Sequence, residues 1–86
     1  MRWEVTVSKS GENTLLLNGI QIYSQYRPVE GAKRFIQAEY DSNAGSYLLI
    51  GLGLGHHLQA LLECVNGKEI IVYYFSESEL QLFKKY

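Results

Sequence analysis

Residues 47–58 read Tyr-Leu-Leu-Ile-Gly-Leu-Gly-Leu-Gly-His-His-Leu, and this stretch indicates an α/β fold. The apolar run 47–50 is short and uninterrupted, as in a parallel strand buried on both faces. Glycine then alternates with leucine over 51–55, which allows a tight turn at the end of the strand. Apolar residues at helical spacing follow from Leu58 to Val65. Strand, glycine-rich turn and helix in this order begin a βαβ unit.

The chain downstream of this stretch completes the unit. Asn66-Gly67 is typical of a helix C-terminus, and residues 69–75 are apolar enough for a second buried strand. Residues 76–79, Ser-Glu-Ser-Glu, match a capping box with Ser76 at the N-cap and Glu79 at N3. We therefore predict a final short helix after Ser76.

Upstream of the unit, the pattern changes from strands to a helix. Residues 3–8 alternate apolar and polar side chains, as a half-buried strand does. Two further strands, 14–17 and 20–23, are joined by Asn18-Gly19, a strong hairpin signal. Pro28 suits the first position of a helix, because its missing N–H has no partner there in any case.

We therefore expect a single small α/β domain over residues 1–86. Residues 1–24 form a small N-terminal antiparallel β meander, and residues 25–86 follow in the order α-β-α-β-α. In that second part, one helix precedes a truncated Rossmann-like βαβα unit, whose strands pair in parallel through a crossover helix.

Composition excludes several classes of protein. The net charge of −1 argues against a nucleic-acid partner, because phosphate contacts require a basic face. The apolar runs are shorter than the ~18 residues of a membrane span, so we expect no membrane partner. The single cysteine, Cys64, suits a reducing compartment, and we expect it to be a small buried hydrophobe. The cytoplasm is the expected location.

The glycine loop allows two interpretations. Gly51, Gly53 and Gly55 resemble the loop of S-adenosylmethionine-dependent methyltransferases more than the dinucleotide GxGxxG spacing, so they could bind a nucleotide or S-adenosylmethionine. However, the next strand ends in Tyr74-Phe75, where a ribose-binding carboxylate is expected. The nearest acid, Glu77, falls in the capping box. The second interpretation is that the glycines permit only a tight turn and close helix–strand packing.

Other polar residues also have a functional and a structural interpretation. His57 could contact a ligand at the helix N-terminus, or pack in its first turn. His56 and His57 point about 100° apart on a helix, so they cannot chelate one metal, and we predict no metal site. Further candidate site residues, with surface or packing roles as the alternative, lie around the start of the first helix: Ser24, Tyr26, Glu30 and Arg34. We assign no catalytic residue, because no nucleophile, base and orienting acid can be assembled.

Two motifs in order resemble those of the motility accessory factors, which are linked to flagellin glycosylation. Residues 24–34, Ser-Gln-Tyr-Arg-Pro-Val-Glu-Gly-Ala-Lys-Arg, are similar to the family's Ser-x-Tyr-Asp-Pro-x-x-Glu-Ala-x-Arg. Residues 51–58 are similar to its Gly-[Leu/Phe]-Gly-Leu-Gly-Tyr-His-[Leu/Ile] loop. The resemblance covers about residues 13–83. It implies an N-terminal domain whose glycosyl-transfer chemistry belongs to a following domain.

This chain departs from the family pattern at three points. Arg27 replaces an Asp, Gly31 is an additional or substituted residue, and Phe75-Ser76 replaces a Glu-Pro pair. We therefore expect the isolated chain to be a non-catalytic packing or interaction module. Its partner is expected to be a second copy, forming a homodimer, or a following domain or another protein. The alternative is a small nucleotide- or S-adenosylmethionine-binding domain, a methyltransferase-like remnant.

Overall fold

A computed structural model describes residues 2–65 and 67–86. Eight elements follow one another along the chain: β1 (Trp3–Val7), β2 (Asn13–Leu17), β3 (Ile20–Gln21), α1 (Pro28–Glu39), β4 (Ser46–Ile50), α2 (His56–Cys64), β5 (Glu69–Tyr73) and α3 (Glu77–Lys85). This is the predicted α/β order, a three-stranded antiparallel sheet followed by helices and a two-stranded parallel sheet. None of the helices in the described part of the chain has the length and apolar character needed to cross a membrane.

The N-terminal sheet is the predicted antiparallel meander, with a shorter third strand. β2 pairs with both β1 and β3. Asn18 and Gly19 have φ angles of 51° and 81°, as the tight hairpin turn requires. β3 ends at Gln21 rather than at residue 23. The reason is that Tyr23 leaves the sheet and is buried beside Leu54.

The second sheet has one covered face and one exposed face. β4 and β5 are parallel, and α1 and α2 bury one face through a core of Ile36, Ala60 and Leu61. The side chains therefore alternate between half-buried and exposed along each strand. The uninterrupted apolar runs had predicted strands buried on both faces. That prediction was wrong for this chain, because α1 and α2 both lie against the same face of the sheet.

The end of α2 differs from the prediction at one residue. Cys64 is exposed, not buried, because it is the last residue of the helix and lies beyond the buried Ala60 and Leu61. Val65 is the C-cap of α2. The predicted Asn66-Gly67 stop falls partly outside the described residues, since Asn66 is not described.

α3 connects the two parts of the molecule. Its residue Leu82 packs on the core formed by Leu15, Tyr23 and Leu54, together with Trp3 and Val5. Half of the predicted capping box is present, because the Ser76 hydroxyl accepts a hydrogen bond from the backbone N–H of Glu79 at 3.3 Å. The other half is replaced by different contacts of Glu79, which are described below.

Candidate functional site

The glycine loop joins the carboxyl end of β4 to α2 in a left-handed conformation. The φ angles of Gly51, Gly53 and Gly55 are +92°, +54° and +89°. Side chains other than glycine rarely adopt these angles, so the backbone path itself requires glycine. Gly55 is the N-cap of α2. The sequence predicted a tight turn here, and the left-handed angles are a finding of the structure.

The space beside each glycine is occupied by a side chain of the same molecule. A Cβ atom built on Gly53 would overlap the Tyr23 hydroxyl. A Cβ on Gly55 would lie 2.6 Å from the Phe83 ring, and one on Gly51 would lie 3.2 Å from the Phe75 ring. These contacts favour the interpretation in which the glycines permit a tight turn and close packing.

The Glu79 carboxylate binds the N–H groups of the glycine loop. Its Oε2 atom accepts hydrogen bonds from Leu52 N at 3.0 Å and Gly53 N at 2.8 Å. Its Oε1 atom accepts one from Phe75 N at 2.6 Å. The residue is 1% exposed. An internal carboxylate therefore lies where successive loop N–H groups would otherwise be able to bind an anion.

The Tyr23 hydroxyl lies at the other side of the loop. It accepts a hydrogen bond from Leu54 N at 3.0 Å and donates one to Leu52 O at 3.3 Å. Burial raises the pKa of Tyr23 above its ordinary value of 10.0, although nearby backbone N–H groups oppose this shift. The phenol is therefore neutral and works as both donor and acceptor.

Backbone carbonyls bind the two remaining loop N–H groups. Gly51 N donates to Tyr73 O at 2.8 Å, and Gly55 N donates to Leu52 O at 2.9 Å. Together with the contacts of Glu79 and Tyr23, these bonds pair every backbone N–H of residues 51–55 within the chain. A nucleotide phosphate or a ligand carboxylate could bind the N–H groups of residues 51–55 only by displacing one of these partners.

The two histidines at the start of α2 are held by packing and one hydrogen bond. His56 Nε2 lies 2.8 Å from the carbonyl oxygen of Asn13, so this nitrogen carries the proton. The His57 ring stacks on Tyr23 at 5.4 Å and meets the edge of Phe35 at 5.3 Å. Burial lowers the pKa of His57, and the neighbouring His56 adds to the shift. His57 is thus a neutral, packed side chain near pH 7.

A small crevice lies over the loop at the carboxyl end of β4. Its volume is about 170 Å³, and its lining includes Gly51, Gly53 and His57. The structure thereby brings together three of the four residues predicted to bind a cofactor, while Gly55 lies beneath Phe83. Pockets that enclose small-molecule cofactors measure roughly 300–1,000 Å³. This crevice is smaller than such a pocket.

The candidate residues around the start of α1 form a separate group. A surface cavity of about 210 Å³ includes all four of them in its lining: Ser24, Tyr26, Glu30 and Arg34. The Ser24 hydroxyl accepts hydrogen bonds from Tyr26 N and Arg27 N, both at 3.1 Å, and so shapes the entry to α1. Glu30 and Arg34 form an exposed pair at 3.5 Å. Exposed pairs of this kind contribute little to stability.

A larger surface cavity adjoins this one, between the β1–β2 connection and α1, and both are lined by Tyr26, Arg27 and Glu30. It measures about 550 Å³, and its charged lining residues are Lys9, Glu12, Arg27, Glu30 and Lys33. Both signs of charge occur in it, so its electrostatics favour neither anions nor cations strongly. Among the described residues, no group of three or more His, Cys, Asp or Glu side chains could hold a metal ion.

Sequence reasoning missed the two side chains that organise the loop, Glu79 and Tyr23. For Glu79 a signal was present, because it shares the apolar stripe of α3 with Leu82 and Phe83 at i, i+3 and i+4. A carboxylate on a buried stripe needs polar partners inside the protein. For Tyr23 no local pattern shows that the strand ends early and that the ring turns inward.

The fold and the loop define a small α/β domain with a glycine turn held by its own side chains. A family model described as the glycosyltransferase Maf N-terminal domain matches residues 5–83. The chain therefore belongs to this family, the N-terminal domain of Maf glycosyltransferase-like motility accessory factor proteins, and the resemblance seen in the sequence is confirmed. Comparisons with curated proteins and with solved structures found no match.

Proposed function

We propose that this chain is a non-catalytic, Rossmann-like N-terminal domain that acts as a packing or interaction module. The proposal depends on one observation, the exposed face of the β4–β5 sheet. We call this surface the open sheet face and define it by Leu48, Ile50, Ile71 and Tyr73. These side chains are 58%, 64%, 46% and 63% exposed.

The open sheet face has the character of an interface. Parallel sheets are almost always covered on both faces, because their strands are apolar on both sides. Contiguous exposed apolar side chains on a domain mark sites of association. A second copy, a following domain or another protein would remove these side chains from water, so association is favourable at this face.

The glycine loop supports the non-catalytic part of the proposal. Its N–H groups are already paired with Glu79, Tyr23 and backbone carbonyls. Buried donors that are fully paired gain nothing from a ligand unless a partner is displaced. The loop therefore acts as a structural connection between β4 and α2.

The second candidate function is a small nucleotide- or S-adenosylmethionine-binding domain, a methyltransferase-like remnant. The crevice lined by Gly51, Gly53 and His57 is the observation that favours it. Its volume of about 170 Å³ and the paired loop N–H groups make it the weaker candidate.

A thermal-shift panel separates the two candidates. We expect no stabilisation of the protein by S-adenosylmethionine, NAD or CMP at millimolar concentration. Stabilisation by any of the three would overturn the structural role of the loop and favour the second candidate, because a ligand that binds the folded state must raise its stability.

Binding of an apolar fluorescent dye, anilinonaphthalene sulfonate, tests the module itself. Ile71→Glu places a charge on the open sheet face, and we expect it to reduce dye binding severalfold. Ile20→Glu is the matched control, because Ile20 is an exposed strand isoleucine of the other sheet. Equal dye binding by the wild type and Ile71→Glu would contradict the proposal.

The compartment that fits this proposal is the cytoplasm. Cys64 is the single cysteine of the chain and its thiol is exposed. An exposed free thiol persists best where the surroundings are reducing.

A further inference from the structure

β1 is an edge strand whose outer backbone groups are unpaired. At one end of β1, Ser8 N donates to Glu12 O at 2.8 Å. At the other end, Asn18 N donates to Arg2 O at 2.8 Å. In an antiparallel pair, residues that bond to the neighbouring strand alternate with residues whose N–H and C=O groups point away from it. The outward-pointing residues of β1 are Trp3, Val5 and Val7. Within the described part of the chain, none of their backbone groups has a hydrogen-bond partner on this outer side.

An unpaired edge of this kind specifies the backbone conformation of its occupant. Its N–H and C=O groups recur at every second residue, and an extended strand presents its own groups with the same period. Another strand is therefore the structure that pairs with all of them at once. Val7, at the carboxyl end of β1, is 71% exposed, so this end of the edge is accessible to a partner.

A groove lies beside this edge, between β1 and α3. Its volume is about 530 Å³, which falls in the size range of sites that bind ligands, roughly 300–1,000 Å³. Trp3 and Leu82 are its apolar lining residues. Leu17, which is opposite Trp3 in β2, lines a different crevice. The groove is therefore on the outer side of β1, next to the unpaired backbone groups.

The polar lining of the groove is basic. Arg2 and Lys85 are its charged residues, and Ser78 and Gln81 are neutral. Among the residues that the structure describes, no acid lines the groove, and neither Arg2 nor Lys85 forms an ion pair. The groove is thus locally positive, although the whole chain has a net charge of −1. Charge complementarity favours an acidic occupant.

We infer that β1 binds an extended, acidic segment of a partner protein, which adds to the three-stranded sheet as a fourth strand. The backbone of this segment pairs with the outer N–H and C=O groups of β1. Every second side chain of the segment faces the groove. These side chains are apolar beside Trp3 and Leu82, and acidic beside Arg2 and Lys85. The inference concerns a different surface from the open sheet face, so it goes beyond the proposed function.

A short peptide tests this inference on the whole chain. The probe is an eight-residue peptide with valine and glutamate alternating at its odd positions and threonine at its even positions, so that one face is apolar and acidic. Two further versions are N-methylated at all odd or all even residues. They keep the side chains and the charge, but each has lost the N–H donors of one backbone edge. Binding is measured by fluorescence anisotropy.

We expect only one backbone edge of the peptide to matter. One N-methylated version should bind at least about tenfold more weakly than the parent peptide, because its hydrogen bonds to β1 are lost, and the other should bind like the parent. Hydrogen exchange at the amides of Trp3, Val5 and Val7 should slow by at least about tenfold in the complex, since these groups become paired.

Two matched pairs of protein variants test the backbone and the charge separately. Val7→Pro removes one outward N–H, which an edge strand tolerates, and should weaken binding about tenfold. Val7→Thr keeps that N–H and should bind like the wild type. Lys85→Glu should weaken binding about fivefold. Lys84→Glu makes the same change of charge at an exposed neighbour that does not line the groove, and should have a smaller effect. Circular dichroism checks that each variant is folded.

Several results would overturn this inference. Equal binding by the parent and both N-methylated peptides would show that the peptide backbone does not pair with β1. Peptide-induced NMR shifts at the Leu48 and Ile71 methyl groups, without slower exchange in β1, would place the peptide on the open sheet face. If concentrated protein alone slows exchange at the β1 amides and the peptide does not compete, the occupant is a second copy. Absence of binding at millimolar peptide also refutes the inference, while the proposed function is still decided by dye binding to the open sheet face.

Discussion

Replacing Glu79 should destabilise the domain far more than replacing any nearby acid. Its carboxylate accepts three backbone hydrogen bonds, from Leu52, Gly53 and Phe75. Glu79→Gln keeps the size of the side chain, but its amide group presents N–H atoms to at least one of these donors. Leaving a buried donor unpaired costs about 1–3 kcal/mol, and the bonds that remain lose the carboxylate charge. We expect a loss of about 2–3 kcal/mol.

Such a loss is large for a domain of 86 residues. Domains of this size are stable by only about 5–10 kcal/mol, and each kcal/mol lowers Tm by about 4–8 °C. We therefore expect Tm to fall by roughly 10–20 °C in Glu79→Gln. Urea and thermal unfolding followed by far-ultraviolet circular dichroism measure both quantities.

Glu77→Gln is the matched control, because Glu77 is an exposed acid of the same helix turn. Its replacement should change stability by less than about 0.5 kcal/mol. Glu79→Ala adds a second test, since acetate can enter the vacated position and bind the free N–H groups. Acetate should raise the Tm of this variant more than that of the wild type, against sodium chloride at equal ionic strength. Equal effects of Glu79→Gln and Glu77→Gln would refute the role assigned to Glu79.

Four further predictions concern α1, the glycine loop and the side chains that pack on that loop. Gly31→Ala should stabilise the protein by about 0.5–1 kcal/mol in urea unfolding, because Gly31 lies inside α1 and a Cβ there would be 3.7 Å from the nearest atom. Gly53→Ala should destabilise the protein by about 1–3 kcal/mol or more, since the φ angle of Gly53 is +54° and the added Cβ atom would displace Tyr23. Equal effects of the two glycine variants on stability would contradict the roles given to Gly31 and Gly53. Tyr23→Phe should cost about 1–3 kcal/mol by leaving Leu54 N unpaired, and an unchanged urea midpoint would show that this bond is unimportant. The pKa of His57 is lowered from 6.5, so the folded state binds fewer protons than the unfolded state. The contribution of His57 to stability should therefore be complete above about pH 6.5 and fall on acidification. Thermal unfolding between pH 7.5 and 5 should show a smaller fall in His57→Asn than in the wild type.

Much of the secondary structure was predictable because its causes are local. The Asn18-Gly19 turn, Pro28 at the start of α1 and Ser76 at the start of α3 each depend on a few neighbouring residues. The alternation of apolar and polar side chains over residues 3–8 indicated β1, and the uninterrupted apolar runs indicated β4 and β5, for the same reason. The end of β3 was predicted less well: the strand stops at Gln21 and not at residue 23.

The state of the candidate site was less predictable. The sequence predicted a tight turn over residues 51–55, but it left open whether the N–H groups of this turn face a ligand. That question depends on Glu79 and Tyr23, which lie 26 and 31 residues from their partners Gly53 and Leu54. Spacing along the chain carries no information about such contacts.

The sequence by itself determined the order of strands and helices, the need for glycine in the loop and the family of the chain. Only the tertiary structure decided that the Glu79 carboxylate and the Tyr23 hydroxyl accept hydrogen bonds from the backbone N–H groups of residues 52–54. It also decided that α1 and α2 share one face of the β4–β5 sheet and leave Leu48, Ile50, Ile71 and Tyr73 exposed. The physical reason is that local patterns specify which groups must be buried or paired, whereas the partner of each group is chosen by packing between distant parts of the chain.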